Sequence, residues 1–360
     1  MKKRILGRTG IGVSELCLGT MNFGWATNRE ESTAILDRYH AAGGNFILCS
    51  AVDMADGRTP DWTTLPETYV GEWLGHAPAR REDLLVASTI TLSPGTDTAQ
   101  AATERIAAAC AASLRRLRSD HIDLLVCRWH PALAPLEPVV AGLTRLVQRG
   151  AIRYFGFAGF PLWRVVESVA LAQRENLCRL EALQTPYSLL ENAAKQEQTF
   201  QVCADYRVSF LAQSPLADGF LASRNRNDAR PADARTRRLQ ALYGHARGLA
   251  LLAEVEAIAR SRGVSPAAVA LAWVLDNAQV TTAVLGAQHP WQIDDAVTAA
   301  GLTLTARECE RLRVAARNHA ANPGERALHA RPATSSRAHA WAMRPLRREP
   351  AASADCFAVS

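Results

Sequence analysis

The feature that most constrains this chain is a repeated alternation between short apolar runs and longer stretches with helical spacing. Apolar runs of this length predict buried strands, and the eight candidates are Leu16–Gly19, Asn45–Cys49, Leu84–Ser88, Asp123–Cys127, Arg153–Phe157, Leu180–Gln184, Val208–Gln213 and Thr282–Gly286. The stretches between them predict helices such as Glu31–Ala42, Leu65–Leu74, Thr103–Arg118, Leu136–Gln148, Trp163–Glu175, Ala193–Tyr206 and Pro266–Asn277. Strands that alternate with helices over short connections predict an α/β fold with a parallel sheet.

The same alternation fits either a closed barrel or an open, doubly wound sheet. An open sheet that binds a dinucleotide carries a glycine-rich G-x-G-x-x-G turn after its first strand. The segment after the first predicted strand reads LGTMNFGW over residues 18–25 and lacks that pattern. Eight strands, each followed by a helix, therefore favour a closed (β/α)8 TIM barrel.

The domain organisation follows from length and from local composition. The chain has 360 residues, of which 48% are hydrophobic, enough for a barrel of about 250 residues with insertions. We expect one barrel domain over residues 1–320, with a long polar loop over Arg224–Gly248 that shows no apolar period. Residues 321–360 mix Ala, Arg, Pro and Ser with few core-forming residues, so we expect a disordered tail there.

The formal net charge of +6 invites a nucleic-acid interpretation that its distribution does not support. The segment from residue 321 onward contains six arginines and three acidic residues, so it carries half of the net charge. The rest of the sequence has no basic stripe interleaved with aromatic residues. No apolar stretch approaches the roughly 20 residues needed to cross a bilayer, and no signal peptide follows the N-terminal MKKR. We therefore expect a small-molecule ligand rather than nucleic acid or membrane, and the sequence does not indicate an oligomeric state.

Eight cysteines are scattered along the chain without a Cys-x-x-Cys pair. This spacing argues against a disulfide framework and against a zinc site. We therefore expect a cytoplasmic protein that holds no metal.

Several motifs occur in a fixed order along the chain: Leu6-Gly-Arg-Thr-Gly-Ile-Gly-Val-Ser14, Leu18-Gly-Thr-Met-Asn-Phe-Gly24, Gly71-Glu-Trp-Leu74, Ser113-Leu-Arg-Arg-Leu117, Asp120-His-Ile-Asp-Leu124, Gln184-Thr-Pro-Tyr187, Ser214-Pro-Leu-Ala-Asp-Gly-Phe-Leu221, Leu271-Ala-Trp-Val274 and Leu285-Gly-Ala287. Together they resemble the aldo-keto reductase family, from about residue 5 to about residue 315. The resemblance implies a TIM barrel and the reduction of carbonyls with NADPH.

The resemblance also implies where the catalytic residues belong. In this family a tyrosine protonates the carbonyl oxygen, a lysine paired with an aspartate lowers the pKa of that tyrosine, and a histidine orients the substrate. Here the aspartate position holds Leu48 and the tyrosine position holds Asp53. The lysine position holds Thr89, and the histidine position holds Arg128. Standard carbonyl reduction is therefore not expected.

The positions that match the dinucleotide contacts of the family are Gln184, Ser214, Leu216, Gly219, Gly286, Gln292 and Asp295. Other contacts differ, because Ala158 and Gly159 replace a Ser-Asn pair that holds the nicotinamide amide. Gln288 replaces an arginine that contacts the 2′-phosphate of NADP, and glutamine cannot supply a charged bidentate fork. The resemblance thus implies NADP or NAD binding that is weakened or lost.

The replaced positions supply the candidates for new chemistry. The Arg128 fork matches a carboxylate or phosphate, and both His130 and Asp53 can transfer a proton. Alternatively, Arg128 and Asp53 form a structural ion pair. Cys49 is a further candidate nucleophile, although no base adjoins it in the sequence.

Three classes of function remain open at this point. The sequence predicts a repurposed enzyme acting on a small polar or anionic metabolite, through a redox step with a displaced acid or through non-redox acid–base chemistry. One alternative is a conventional NAD(P)H-dependent oxidoreductase of carbonyl substrates whose acid lies elsewhere. The other is a non-catalytic barrel that binds a ligand or a partner protein, because a fold alone does not determine function.

Overall fold

The computed structural model describes residues 1–50, 63–76, 80–91, 99–128, 135–191, 193–222 and 234–317. In chain order, its strands are β1 (Lys3–Ile5), β2 (Gly12–Ser14), β3 (Leu16–Gly19), β4 (Phe46–Ser50), β5 (Leu85–Thr91), β6 (Ile122–Arg128), β7 (Ile152–Ala158), β8 (Ala182–Pro186), β9 (Ser209–Gln213) and β10 (Val280–Gly286). Strands β3 to β10 are all parallel and close into a barrel in chain order, with β10 beside β3. Each of the eight predicted strands overlaps one of these, so the predicted TIM barrel is confirmed.

The helices surround the barrel: α1 (Arg29–Ala41), α2 (Leu65–His76), α3 (Arg80–Asp83), α4 (Ala99–Leu117), α5 (Leu136–Gln148), α6 (Leu162–Arg174), α7 (Ala193–Tyr206), α8 (Ala234–Tyr243), α9 (Ala246–Arg262), α10 (Pro266–Asp276), α11 (Trp291–Gly301) and α12 (Ala306–Arg317). Apolar side chains of α1, α2, α4 to α7, α10 and α11 pack against the barrel in its largest buried cluster. Those of α8, α9 and α12 belong to a second cluster. In the described part of the chain, no helix has both the length and the apolar character needed to span a bilayer.

The N-terminal end of the barrel is covered by an antiparallel hairpin of β1 and β2, which the sequence did not predict. Leu6 and Val13 of this hairpin are fully buried and join the apolar cluster inside the barrel. The backbone N–H of Gly7 donates to the Ser209 hydroxyl over 2.6 Å. Gly7 has a positive φ of 51°, and a Cβ there would lie 2.3 Å from a carboxylate oxygen of Glu181. Only glycine allows the hairpin to approach this closely.

The barrel interior changes from apolar to polar along its axis. Its apolar cluster contains Cys17, Phe46, Leu48, Leu85, Ala87, Leu124, Val126, Ala158, Ala182 and Leu211, besides the two hairpin residues. Because side chains alternate between the two faces of a strand, the next interior residue after Val126 is Arg128. Polar side chains therefore begin at the C-terminal ends of the strands, which is where barrels of this type carry their active sites.

The prediction of a loop over Arg224–Gly248 was wrong for the second half of that segment. Residues Ala234–Tyr243 form α8, and α9 begins at Ala246. Alanine, arginine, leucine and glutamine favour helix without any apolar period, and Leu239 of α8 is buried. The remainder of that loop, residues 224–233, and the predicted tail over residues 321–360 lie outside the described residues.

Candidate functional site

Arg128 and Gln184 lie in one row across three neighbouring strands at the C-terminal end of the barrel. Arg128 pairs in register with Ala158, and Ala158 pairs with Gln184. Paired residues on adjacent strands point to the same face, and Ala158 and Leu211, the partner of Gln184 on the other side, both belong to the interior cluster. Arg128 and Gln184 therefore point into the mouth of the barrel, with about 10 Å between their Cα atoms, since strands lie about 4.8 Å apart.

At this end, two buried polar atoms on interior-facing side chains have no hydrogen-bond partner in the part of the chain that the structure describes, besides Oγ1 of Thr20 on the outer face of the barrel. They are Oε1 of Gln184 and Oγ1 of Thr89, on side chains that are 5% and 1% exposed. Thr89 follows interior Ala87 by two residues, so it faces the mouth as well. A buried polar atom without a partner costs about 1–3 kcal/mol. A hydrogen bond from a ligand would remove this cost.

Arg128 places a positive charge at the same end of the barrel. Its burial lowers the pKa of the guanidinium below the ordinary value, although arginine remains charged at neutral pH. Among the described residues no carboxylate pairs with Arg128. A charge that is withdrawn from water and not yet paired favours an anionic ligand.

The family's aspartate and lysine positions carry no ionisable group. Leu48 is buried in the interior cluster and lies in register with Ala87. Thr89 stands one interior position further along β5, beside Ser50. The other two sequence candidates, Asp53 and His130, lie outside the described residues, so their roles stay predictions.

Cys49 does not have the surroundings of a nucleophile. It is fully buried on the outer face of β4, within the cluster between the barrel and its helices. Burial raises the pKa of its thiol well above the ordinary value, and the nearby Glu67 carboxylate raises it further. The thiolate is therefore absent near neutral pH, and the thiol acts as a small apolar group.

The turn after β9, residues Ser214–Gly219, has several residues in the left-handed region of backbone conformation. Ser214 and Asp218 both have positive φ values, 51° and 55°, and Gly219 follows at 100°. The Ser214 hydroxyl donates to the Asp218 carboxylate over 2.6 Å, and the N–H of Gly219 donates to the carbonyl of Leu216 over 3.0 Å. Left-handed residues other than glycine each cost about 1–3 kcal/mol and cluster at functional sites.

The remaining predicted cofactor positions lie at the end of β10 and the start of α11. Gly286 ends β10 in register with Gly19. The side-chain oxygen of Gln292 accepts the backbone N–H groups of Gln288 over 2.6 Å and His289 over 3.1 Å, so it already holds the turn before α11. Asp295 lies half-buried on α11. All seven positions thus lie on the C-terminal side of the barrel.

The family resemblance identifies Thr89 only as the residue at the lysine position. In the structure its side chain also belongs to the polar lining of the mouth. The alternation along β5 was the signal that placed it inside the barrel. No cluster of metal-ligating side chains is found within the described ranges.

Comparison with known proteins gives consistent matches along the barrel. The sequence model of the Aldo/keto reductase family matches residues 15–317. Uncharacterized oxidoreductase YrpG of Bacillus subtilis (strain 168) is 29% identical over 311 residues, 84% of this chain and 92% of that protein. Protein tas of Escherichia coli (strain K12) is 32% identical over 314 residues, 80% of this chain and 89% of that protein. A probable voltage-gated potassium channel subunit beta of Arabidopsis thaliana is 26% identical over 304 residues, 82% of this chain and 90% of that protein.

Proposed function

Because the chain belongs to the Aldo/keto reductase family, we propose that it is an enzyme of that family repurposed to act on a small polar or anionic metabolite. The observation that carries this proposal is the row at the barrel mouth, in which Arg128 and Gln184 flank Ala158. An apolar carbonyl substrate would leave the guanidinium poorly solvated, whereas an anion would pair with it.

The proposal assigns binding to the described residues and proton transfer to Asp53 and His130. Arg128 holds and orients the anionic group of the substrate. Asp53 or His130 then moves the proton, in a redox step with a displaced acid or in non-redox acid–base chemistry. The similarity to a protein named as an oxidoreductase supports the redox version.

The residues present fit a dinucleotide only in part. The turn Ser214–Gly219 has the left-handed backbone that suits a close approach of phosphate groups. The nicotinamide amide of the dinucleotide would find fewer hydrogen-bond partners, because Ala158 and Gly159 have no polar side chains. We propose that NADP or NAD binds weakly, held mainly by this turn, and that the bound cofactor would accept or donate hydride. We also propose a cytoplasmic location, in keeping with the seven free cysteines of the described residues.

The test is a titration with NADPH and NADH, followed by fluorescence and by melting temperature, together with an assay of simple aldehydes. We expect weak binding and aldehyde turnover at least about 100-fold below that of a family member with the tyrosine, because a positioned general acid contributes about 10²–10⁴-fold. Gly219→Ala is the control for cofactor binding, because its φ of 100° disfavours any side chain.

The outcomes separate the alternatives. Rapid NADPH-dependent turnover of a simple aldehyde would overturn the proposal in favour of a conventional reductase. Complete lack of cofactor binding, with no acid–base activity on any small anion, would favour the non-catalytic barrel.

A further inference from the structure

We propose that the mouth of the barrel takes a compact hydroxylated anion, with a carboxylate or phosphate at Arg128 and a hydroxyl group donating to Gln184. This inference rests on the proposed function, because it names the ligand class of the same site. It follows from the different hydrogen-bonding groups at the two ends of the row: Arg128 offers only donors, and the unpartnered oxygen of Gln184 only accepts.

The Arg128 end of the row needs an acceptor. A guanidinium carries only donors, and its planar fork matches the two oxygens of a carboxylate or phosphate. The part of the chain that the structure describes supplies no carboxylate to it. A neutral ligand would leave the charge without compensation.

The Gln184 end of the row needs a donor. Its Oε1 atom is buried and has no partner within the described ranges. An amide oxygen can only accept a hydrogen bond, so the group beside it must donate, as a hydroxyl does. The Thr89 hydroxyl, also without a described partner, can donate or accept and so tolerates a second hydroxyl on the ligand.

The space between the two ends suits a small skeleton. Ala158 separates Arg128 from Gln184 with a single methyl group. Below the row, the interior is filled by apolar side chains such as Leu48 and Leu124, which offer no competing polar contact and limit the depth. A short ligand across one strand can therefore satisfy both ends at once.

Gln184 is available for this role because of its neighbours. In the family resemblance this glutamine joins a Ser-Asn pair around the nicotinamide amide, and here that pair is Ala158 and Gly159. Two of the three side chains that would contact the nicotinamide amide are therefore missing. The Gln184 oxygen is free of that role and can accept a hydrogen bond from the substrate.

The experiment uses four three-carbon probes that differ in their charge or in their hydroxyl groups: glycerate, propionate, glycerol and glycerol 3-phosphate. Binding is measured by ligand-observed NMR and by thermal shift, without turnover. We expect glycerate to bind at least about tenfold more tightly than propionate, which lacks hydroxyls, and than glycerol, which lacks charge; tenfold corresponds to about 1.4 kcal/mol. The phosphate probe tells which anion the Arg128 fork prefers.

Three variants assign each preference to its residue. Arg128→Met should abolish the preference for glycerate over glycerol, and Arg128→Lys should restore part of it because charge returns without the fork. Gln184→Leu should abolish the preference for glycerate over propionate and leave the preference over glycerol. Arg145→Met, which removes an exposed charge on α5, is the matched control and should change neither.

Equal binding of glycerate and propionate would overturn the inference, as would failure of glycerate and the phosphate probe to bind. Binding that Arg128→Met leaves intact would overturn it too. If the selectivity appears as expected but no hydroxylated anion is turned over, the ligand class stands and the proposed enzymatic function fails.

Discussion

At the scale of single residues, Arg116 and Arg128 are both half-buried, but they differ in their partners. Arg116 pairs with the fully buried carboxylate of Glu67 over 2.5 Å, and Ser88 donates to the same carboxylate. Arg128 faces the mouth without a carboxylate among the described residues. The first arginine completes a structural pair, whereas the second belongs to the ligand site that we propose.

This contrast predicts different costs of removing each arginine. Arg128→Met should leave the melting temperature unchanged or raise it, because it removes a desolvated charge and leaves no buried partner behind. Arg116→Met should destabilise the protein by about 3–5 kcal/mol, because it strands the Glu67 carboxylate. Thermal and urea denaturation of both variants measure the difference.

The competing interpretation is an ion pair between Arg128 and Asp53. In that case Arg128→Met would lower stability, and the double variant with Asp53→Asn would regain it. Such a rescue, with ligand binding intact, would remove Arg128 from the binding site.

At the scale of elements, the sequence pattern predicted the parts whose apolar periods are strong and missed those whose formation depends on other forces. The strands of the barrel are buried on both faces, so their apolar runs stand out. Helix α8 buries Leu239 and is favoured mainly by the helix propensity of its residues. Its sequence therefore shows no apolar period. The hairpin of β1 and β2 has strands of three residues, too short for a period to be seen.

Helix α12 illustrates a local signal that the sequence did carry. Thr305 and Glu308 form a reciprocal cap: the Thr305 N–H donates to the Glu308 carboxylate over 2.7 Å, and the Glu308 N–H donates to the Thr305 hydroxyl over 3.2 Å. Arg262, the last residue of α9, donates twice to the same carboxylate over 2.7 Å. A Thr-x-x-Glu spacing before a helix is the sequence signature of this cap.

These contacts predict a pH-dependent contribution to stability. The Arg262 guanidinium and the Thr305 cap lower the pKa of Glu308 from 4.5 to about 2. A carboxyl whose pKa is lower in the folded state stabilises that state above the unfolded pKa of 4.5, and this contribution is lost as the pH falls toward 2. Glu308→Gln should therefore cost about 1 kcal/mol at pH 7, a value discounted for partial exposure.

The measurement is the melting temperature of Glu308→Gln and of the wild type between pH 7 and pH 3. The difference should shrink to less than half as the pH reaches 3. Glu310→Gln is the matched control, because Glu310 is exposed on the same helix and, among the described residues, pairs only with Arg313. A difference that is constant over the pH range would rule out the ionised pair as its source.

At the scale of the whole molecule, closure of the barrel was predictable, whereas the contents of its mouth were predictable only in part. Eight regularly spaced strands leave few topologies open, so the fold followed from the pattern. Arg128 and Gln184 were candidates from the sequence, but their common row depends on the register between strands. No single-strand pattern contains that register.

The extent of the folded unit is a further property at this scale. Truncation after Asn318 should leave the melting temperature nearly unchanged, because the polar, arginine-rich segment beyond it offers little apolar surface to bury. Truncation after Thr305 is the matched comparison, since it removes Leu312, which is fully buried in the cluster that α9 and α12 share. Loss of a buried leucine alone costs about 2–5 kcal/mol. A drop of many degrees in melting temperature after truncation at Asn318 would show that the tail packs on the barrel.

The hairpin that fills the N-terminal end of the barrel has a kinetic consequence. With Leu6 and Val13 buried inside that end, the hairpin closes the barrel there, and the polar lining that the structure describes lies at the opposite end, at the mouth. If a metabolite and a dinucleotide both occupy the mouth, as proposed, they would arrive and depart through the same opening, so the deeper one would enter first and leave last. Exchange at this site would then follow a compulsory order, set by a hairpin at the opposite end of the barrel from the reaction.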